Sequence, residues 1–403
     1  MPSRHAMRAL CAASVAVAAA LISAGTALGV DYTGPSEIGK NAAGPSIAAL
    51  ARGDLAGFFA EQPMMGGFSL LLRAPFAALG SAFSDKLLLE YRVGAFPCVL
   101  ALGLLGLAVA RRIGGERPWA ARLVAVGLVM AGPMTFKALF WGHPEELLAA
   151  ALAAGAVLAA PRRPLAAAAL LGSAIATKQW ALLAVVPVLA SVAPDRRLRV
   201  LFAAGGVAAL WTAPMAIGDL GRFLDQNHAA GHAGAGVTPS SLWWQFGDVV
   251  NVQPGLDGGE VRNYAMPMWL TRIAEPLTVA VAVALSFMFW RRRRGYDAAD
   301  ALTLLALLML VRCILDPMTV SYHHAPFYTA LAAAEVLRTR RMPVLTVAVA
   351  GLLIATSSLA SSPDLLNAFY LAWALPLSGL LGAALFAPRL LAPLGVTRAP
   401  VHA

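Results

Sequence analysis

The chain has 403 residues, 59% of them hydrophobic and 13% charged, with a formal net charge of +10 and a mean hydropathy of +0.70. A soluble domain carries about 25% charged residues, so a soluble multidomain chain is excluded. A basic nucleic-acid-binding surface is excluded too, because the positive residues sit in loop clusters beside apolar spans.

The N-terminus carries Arg4 and Arg8 and then runs apolar to Gly29. A cleaved signal peptide has an apolar core of about 7–15 residues. This run is longer, and it is read as an uncleaved first helix. A helix needs about 20 residues to cross the hydrocarbon core. The candidate spans are 8–29, 88–110, 119–140, 145–160, 199–217, 270–290, 298–315, 325–337, 343–360 and 366–387. Cys11, Cys98 and Cys313 all fall inside such apolar runs, so no disulfide framework or cysteine metal site follows from them.

The stretch 164–193 is too long for one span, and Lys178-Gln179 interrupts it near its middle. Arginines flank it on both sides, so it must cross an even number of times, as a short helical hairpin or two short helices. The Thr177-Lys178-Gln179 turn then approaches the face opposite the arginines. Non-helical backbone at that depth must be buried in protein or line a wet cavity.

Arg111-Arg112, Arg162-Arg163, Arg196-Arg197, Arg291 to Arg294 and Arg338 to Arg341 mark every second loop. By the positive-inside rule they face the cytoplasm. The expected fold is all-α, a single membrane domain over 1–403. It is a polytopic transmembrane helical bundle of about 10–12 spans with both termini inside. Two long extracytoplasmic loops cover 30–87 and 218–269. In the first, the apolar stretch 66–83 contains Arg73 and Pro75 and reads as an interfacial helix. In the second, Trp243, Trp244 and Trp269 suit a membrane-interface aromatic belt.

Several residues on the outer side are candidates for chemistry. Asp31 directly follows the first span. A carboxylate there can be a general base, or it can be a solvated helix-end residue. His143 and Glu145, in the tight turn Trp141 to Glu146, can bind a hydroxyl-rich ligand or a phosphate; a helix N-terminus also explains Pro144, Glu145 and Glu146. Lys178 is the least expected residue. An ionisable group in a membrane segment costs about 2.5–3.5 kcal/mol on insertion scales. It can neutralise a phosphate or snorkel at a helix end. Arg312 and Asp316, four apart on one helix face, read as a structural ion pair. His324, within Tyr322-His323-His324, suits hydrogen bonding to phosphate or sugar better than zinc, since adjacent histidines do not face one ligand. Arg272, near the start of its span, is either a lipid-headgroup contact or an interfacial anchor. No metal and no cofactor are expected, and no nucleotide-binding motif appears.

The chain resembles the integral-membrane GT-C glycosyltransferases. In particular it resembles glycosyltransferase family 87, the polyprenol-phosphate-mannose-dependent mannosyltransferase type. The residues that carry the resemblance are Val30-Asp31-Tyr32, Ala48 to Pro75, Gly142 to Leu148, Ala176 to Gln179 and Asp316 to Pro326. The turn reads Gly142-His143-Pro144-Glu145 where such proteins commonly have a Gly-Gln-x-Asn-like turn. The resemblance implies a polyprenyl-phosphate sugar donor, mannose as the sugar, and a lipid or glycan acceptor on the extracytoplasmic face of the cell membrane. It also implies inversion at the anomeric carbon, with Asp31 as the base. Lys178 and His143 would hold the donor phosphate, with Glu145 beside them and His324 or Arg272 assisting, and no metal is then required. Two other classes stay open at this point, a membrane transporter or lipid flippase and a non-catalytic subunit of envelope assembly. A transporter would place its polar residues near the bilayer midplane.

Overall fold

The structure is a computed structural model that describes residues 4–25, 44–62, 66–84, 87–114, 118–231, 236–254, 260–291, 297–359 and 361–389. It is an all-α polytopic bundle with one small sheet. The helices are α1 (Arg4–Ala24), α2 (Gly44–Ala51), α3 (Leu55–Ala60), α4 (Gly67–Ser81), α5 (Leu87–Ala110), α6 (Pro118–Met130), α7 (Pro133–Phe140), α8 (Pro144–Ala159) and α9 (Pro164–Ile175). They continue as α10 (Val185–Ser191), α11 (Arg197–Gly218), α12 (Leu220–Gly231), α13 (Met268–Trp290), α14 (Ala298–Leu315), α15 (Ala325–Thr339), α16 (Val344–Ser358) and α17 (Pro363–Phe386). Strands β1 (Asp248–Pro254) and β2 (Glu260–Ala265) form an antiparallel hairpin in the second long loop, with an irregularity between Val249 and Asn251.

Among the described residues, seven helical segments are long and apolar enough to cross a membrane. Three shorter apolar helices, Pro164–Ile175, Gln179–Ser191 and Val344–Ser358, accompany them. Pro144–Ala159 and Ala325–Thr339, both expected as spans, are helices of 16 and 15 residues, shorter than the about 20 residues of a full crossing.

Apolarity on all sides buries a helix. Thus α14 is buried along nearly its whole length, from Ala299 to Leu315. It packs against α13, α15 and α17. Alanine lets α8 sit equally deep: Ala149, Ala150, Ala153, Ala154 and Ala156 are all buried, and small side chains allow backbones to approach closely. By contrast α11 and α13 lie at the periphery and expose Phe202, Leu210, Ile217, Val279 and Val283. Exposed apolar surface of that extent is what a bilayer covers.

The stretch 66–83 becomes α4, which packs against α5 and buries Leu70, Arg73 and Ala77. Trp243 and Trp244 do not stand in an interface belt. Both are buried, with Trp243 Nε1 donating to the Leu315 carbonyl at 2.7 Å and Trp244 Nε1 to Asp364 at 2.7 Å. An indole N–H with a protein partner can be enclosed. Trp269 remains exposed.

The arginine turns gather at one end. Gly114 N donates to the Arg340 carbonyl, Arg338 pairs with Asp300 at the start of α14, and Arg197 stacks on Trp290, next to Arg291. Arg163, Arg196 and Arg199 line one cleft. The chain between them therefore leaves and returns on that end, through α9, a turn at Ala176 to Lys178, a 3-10 segment at Gln179–Ala184, and α10.

Candidate active site

The opposite ends of α8, α9 and α14 meet in a buried ion network. Its first part is set by the turn into α8. Gly142 has φ +77°, a conformation that favours glycine, and Pro144 stands at the first helical position. That geometry puts Glu145 and Glu146 in the first turn, where the helix dipole favours a negative charge. Both are enclosed, Glu145 with 0% and Glu146 with 1% of its side chain exposed.

Three groups reach Glu145. Arg73 from α4 lies at 3.4 Å, His143 Nδ1 at 2.8 Å and Lys178 Nζ at 3.2 Å. Lys178 also reaches Glu146 at 3.2 Å, and Trp180 Nε1 donates to Glu146 at 2.9 Å. A buried carboxylate is tolerated when it is paired and hydrogen-bonded in this way.

The Lys178 turn is held by main-chain bonds from α4. Gly66 N donates to the Thr177 carbonyl at 3.1 Å and Phe68 N to the Ala176 carbonyl at 3.2 Å. These are carbonyls left open at the end of α9, met by N–H groups left open at the start of α4. A Cβ on Gly66 would stand 1.8 Å from the Ala176 oxygen, and one on Gly67 2.4 Å from the Trp211 oxygen. Gly66 therefore lets α4 meet the backbone of the Lys178 turn, and Gly67 lets it meet that of α11. Gln179, next to it, donates to Asn227 Oδ1 at 2.9 Å and ties α12 to the rim.

The second part comes from α14 and the turn after it. Arg312 pairs with Asp316 at 3.6 Å, and its guanidinium sits 6.0 Å from the Trp180 ring centroid. Its Nη1 is buried with no hydrogen-bond partner among the described residues. Tyr322 stacks on His143 at 4.6 Å, with 22° between the ring planes. The network thus joins Arg73, Lys178 and Arg312 with Glu145, Glu146 and Asp316, three cations against three carboxylates. Its open edge is cationic and aromatic: His143, Lys178 and Arg312 keep 18%, 16% and 15% of their side chains exposed.

The histidines divide. His143 has Nδ1 engaged by Glu145, and its Nε2 has no protein partner among the described residues. His324 is buried away from the open edge. Its Nδ1 contacts the Ser321 carbonyl at 3.1 Å and its Nε2 the Tyr370 hydroxyl at 3.0 Å. A carbonyl only accepts, so Nδ1 carries the proton and Nε2 accepts from Tyr370. Burial pushes the His324 imidazole down to about 4, and it holds His323 well below the ordinary value as well, with Arg312 and Lys178 adding repulsion there. Both rings are neutral near pH 7.

Of the residues singled out in the sequence, the structure brings together Lys178, His143 and Glu145. His324 lies behind them, in the aromatic cluster of Tyr370 and Trp373. Arg272 is exposed on α13 and makes no hydrogen bond or ion pair with the network among the described residues. Asp31 lies outside the described residues. The sequence reading missed Arg73, Glu146, Trp180 and Tyr322 as members of the site and took Arg312 as a structural partner only. Arg73 had a signal, being the lone charge in 66–83. Among the described residues no group of three His, Cys, Asp or Glu is placed to hold a metal ion.

The arrangement suits an anion at its edge. Glu145 and Glu146 are already engaged by cations and hydrogen-bond donors. Arg312 Nη1 is an unused donor, and His143 Nε2 is an unused ring nitrogen. No curated protein matches the chain. The family model for glycosyltransferase family 87 matches residues 66–317, well over half of the chain. The match opens at Gly66, whose N–H secures the Lys178 turn, and closes just past Asp316, so it encloses the whole ion network. A helical membrane bundle with this matched region is a polytopic membrane glycosyltransferase, and the chain belongs to glycosyltransferase family 87.

Proposed function

We propose that the protein transfers a sugar, mannose, from a polyprenyl-phosphate donor to a lipid or glycan acceptor on the extracytoplasmic face of the cell membrane. The observation that supports this reading best is the cationic edge of the ion network, behind which Arg312 Nη1 is buried with no partner among the described residues. A donor aimed at a developing oxyanion in a dry site stabilises the departing phosphate. The network also lies at the end away from the arginine turns, the end expected to be extracytoplasmic.

In the reaction the acceptor hydroxyl oxygen attacks the anomeric carbon from the face opposite the phosphate. The bond from that carbon to the phosphate oxygen breaks, and polyprenyl phosphate leaves with the electron pair. Asp31 takes the acceptor proton, and configuration inverts. Arg312 Nη1 and His143 Nε2 meet the phosphate oxygens, while Lys178 and Glu145 hold the edge in shape. His324 steadies the turn that carries Tyr322, and Arg272 contacts a lipid headgroup at the periphery.

The test uses protein in lipid nanodiscs with radiolabelled polyprenyl-phosphate-mannose and a membrane-lipid extract as acceptor. Wild type should transfer label, and Asp31→Asn should bind donor without transferring it. Transfer that survives in Asp31→Asn would remove Asp31 as base. Failure of wild type with every polyprenyl-phosphate hexose offered would overturn the donor class.

A further inference from the structure

At the opposite end of the bundle, a cleft of about 450 Å³ opens between the first turns of α9 and α11. Arg163, Arg196 and Arg199 line it, with Leu165 and Val200. The local arginines are not alike. Arg197 is occupied by the fold: its Nε donates to the Leu189 carbonyl at 3.0 Å and to that of Val192 at 3.3 Å, and its guanidinium covers Trp290 at 4.5 Å. Arg163 and Arg199 have no side-chain hydrogen bond or ion pair among the described residues. Among the described residues Arg196 has only Asp195, at 3.7 Å, with both side chains more than half exposed. Such a solvated pair contributes little.

Three like charges from two separate turns therefore converge with one weak local counter-charge. Membrane-protein loops on this side are arginine-rich in general, but that rule requires no convergence on a cleft. The surface next to the cleft is apolar and open. Leu165 on α9 and Leu198 and Phe202 on α11 are all exposed, and α11 is a peripheral helix. A charged cleft directly above an apolar flank matches a molecule with an anionic head and hydrocarbon tails. A free phosphate would satisfy the arginines and leave the flank unused. The volume falls within the range of about 300–1,000 Å³ usual for ligand pockets, and basic pockets between membrane helices are known to take anionic lipid headgroups.

We infer that this cleft binds the phosphate-bearing headgroup of an anionic membrane phospholipid, with the acyl chains lying along Leu198 and Phe202. Arg163 and Arg199 provide forked donors for phosphate oxygens, and Arg196 adds charge. The bound lipid bridges α9 and α11, the two helices that lead to the Lys178 turn and to the backbone against Gly67. Occupancy of the native state alone raises its apparent stability by mass action.

The test uses the full chain, delipidated in a neutral detergent, with phosphatidylglycerol, phosphatidylcholine or inorganic phosphate added. Native mass spectrometry reads retained lipid, and thermal unfolding reads the shift in midpoint. Wild type should retain phosphatidylglycerol and gain several degrees. The Arg163→Gln/Arg199→Gln variant should retain at least tenfold less lipid and lose the shift. Arg111→Gln/Arg112→Gln, which removes the same charge from another turn at this end, should behave as wild type. Phe202→Ser keeps all three cations and should weaken phosphatidylglycerol retention as well. Equal loss in the Arg111/Arg112 variant, equal retention of phosphatidylcholine, or an equal shift from inorganic phosphate would each overturn the inference. None of these readouts involves sugar transfer.

Discussion

Lys178 holds Glu145 and Glu146 at once, at 3.2 Å from each, and so clasps the first turn of α8 to the end of α9. An isolated lysine in an apolar stretch is costly. Two buried carboxylates side by side would be costly as well. Each group offsets the penalty of the other, and the result is a rigid floor under the open edge of the site.

Removing Lys178 should therefore destabilise the protein rather than merely weaken substrate binding. Lys178→Met leaves two enclosed carboxylates short of a cation, and breaking a buried pair from one side costs about 3–5 kcal/mol. The unfolding midpoint in detergent should drop clearly. The double variant Lys178→Met/Glu146→Gln should recover part of the loss. A single variant as stable as wild type would show that the network is hydrated and weak.

Gly66→Ala should be as damaging as a change in the ion network. Its Cβ would overlap the Ala176 oxygen, and the bonds from Gly66 N and Phe68 N would separate. Gly379→Ala, in α17 with nothing within 4 Å of the added carbon, is the control. It should be neutral or stabilising by about 0.5–1 kcal/mol, the helix preference of alanine over glycine. Comparison of the two unfolding midpoints and of transfer rates checks this.

Arg312 should matter more for donor than for folding. A hydrogen bond to a charged group is worth about 1.5–3 kcal/mol, and about 1.4 kcal/mol is tenfold. Arg312→Ala should weaken donor binding about ten- to a hundredfold, and Arg312→Lys should recover part of it. Donor titration in nanodiscs, beside the unfolding midpoint, reads both. Unchanged donor affinity in Arg312→Ala would return the residue to the structural role that its spacing from Asp316 suggests.

His324 should make stability depend on pH. Its imidazole is held down to about 4 in the folded state by burial, against an ordinary value of 6.5. Between those values the unfolded chain binds a proton that the native chain does not, so stability is full above 6.5 and falls as pH drops. From this residue the loss is about 2 kcal/mol between pH 7 and pH 5. The groups around it are Tyr370, Trp373, the Ser321 carbonyl and, at longer range, Arg312. His324→Gln should be less stable at pH 7 and show a flatter midpoint over that range. A slope equal to that of wild type would assign the acid sensitivity to other groups.

Much of this architecture was legible in the amino-acid order. Hydropathy and arginine spacing are local properties, since each apolar run and each loop cluster meets water or lipid by itself. They gave a helical membrane bundle and separated its two ends. Lys178, His143 and Glu145 stood out for the same reason: a polar residue beside an apolar run is anomalous on its own. What lies between runs was less legible. The burial of Trp243 and Trp244 depends on partners distant in the chain, the Leu315 carbonyl and Asp364.

The sequence by itself determined that the chain is a membrane bundle and which turns carry unusual charge. Only the tertiary structure decided what those charges do. It spans 72 positions to join Arg73 to Glu145, turns His324 to Tyr370, and brings Arg312 beside Trp180. It also collects Arg163, Arg196 and Arg199 around one cleft while binding Arg197 into the fold. The physical reason is that desolvation and pairing are properties of an enclosed volume. A residue type states which partner it needs, and packing alone states which partner it gets.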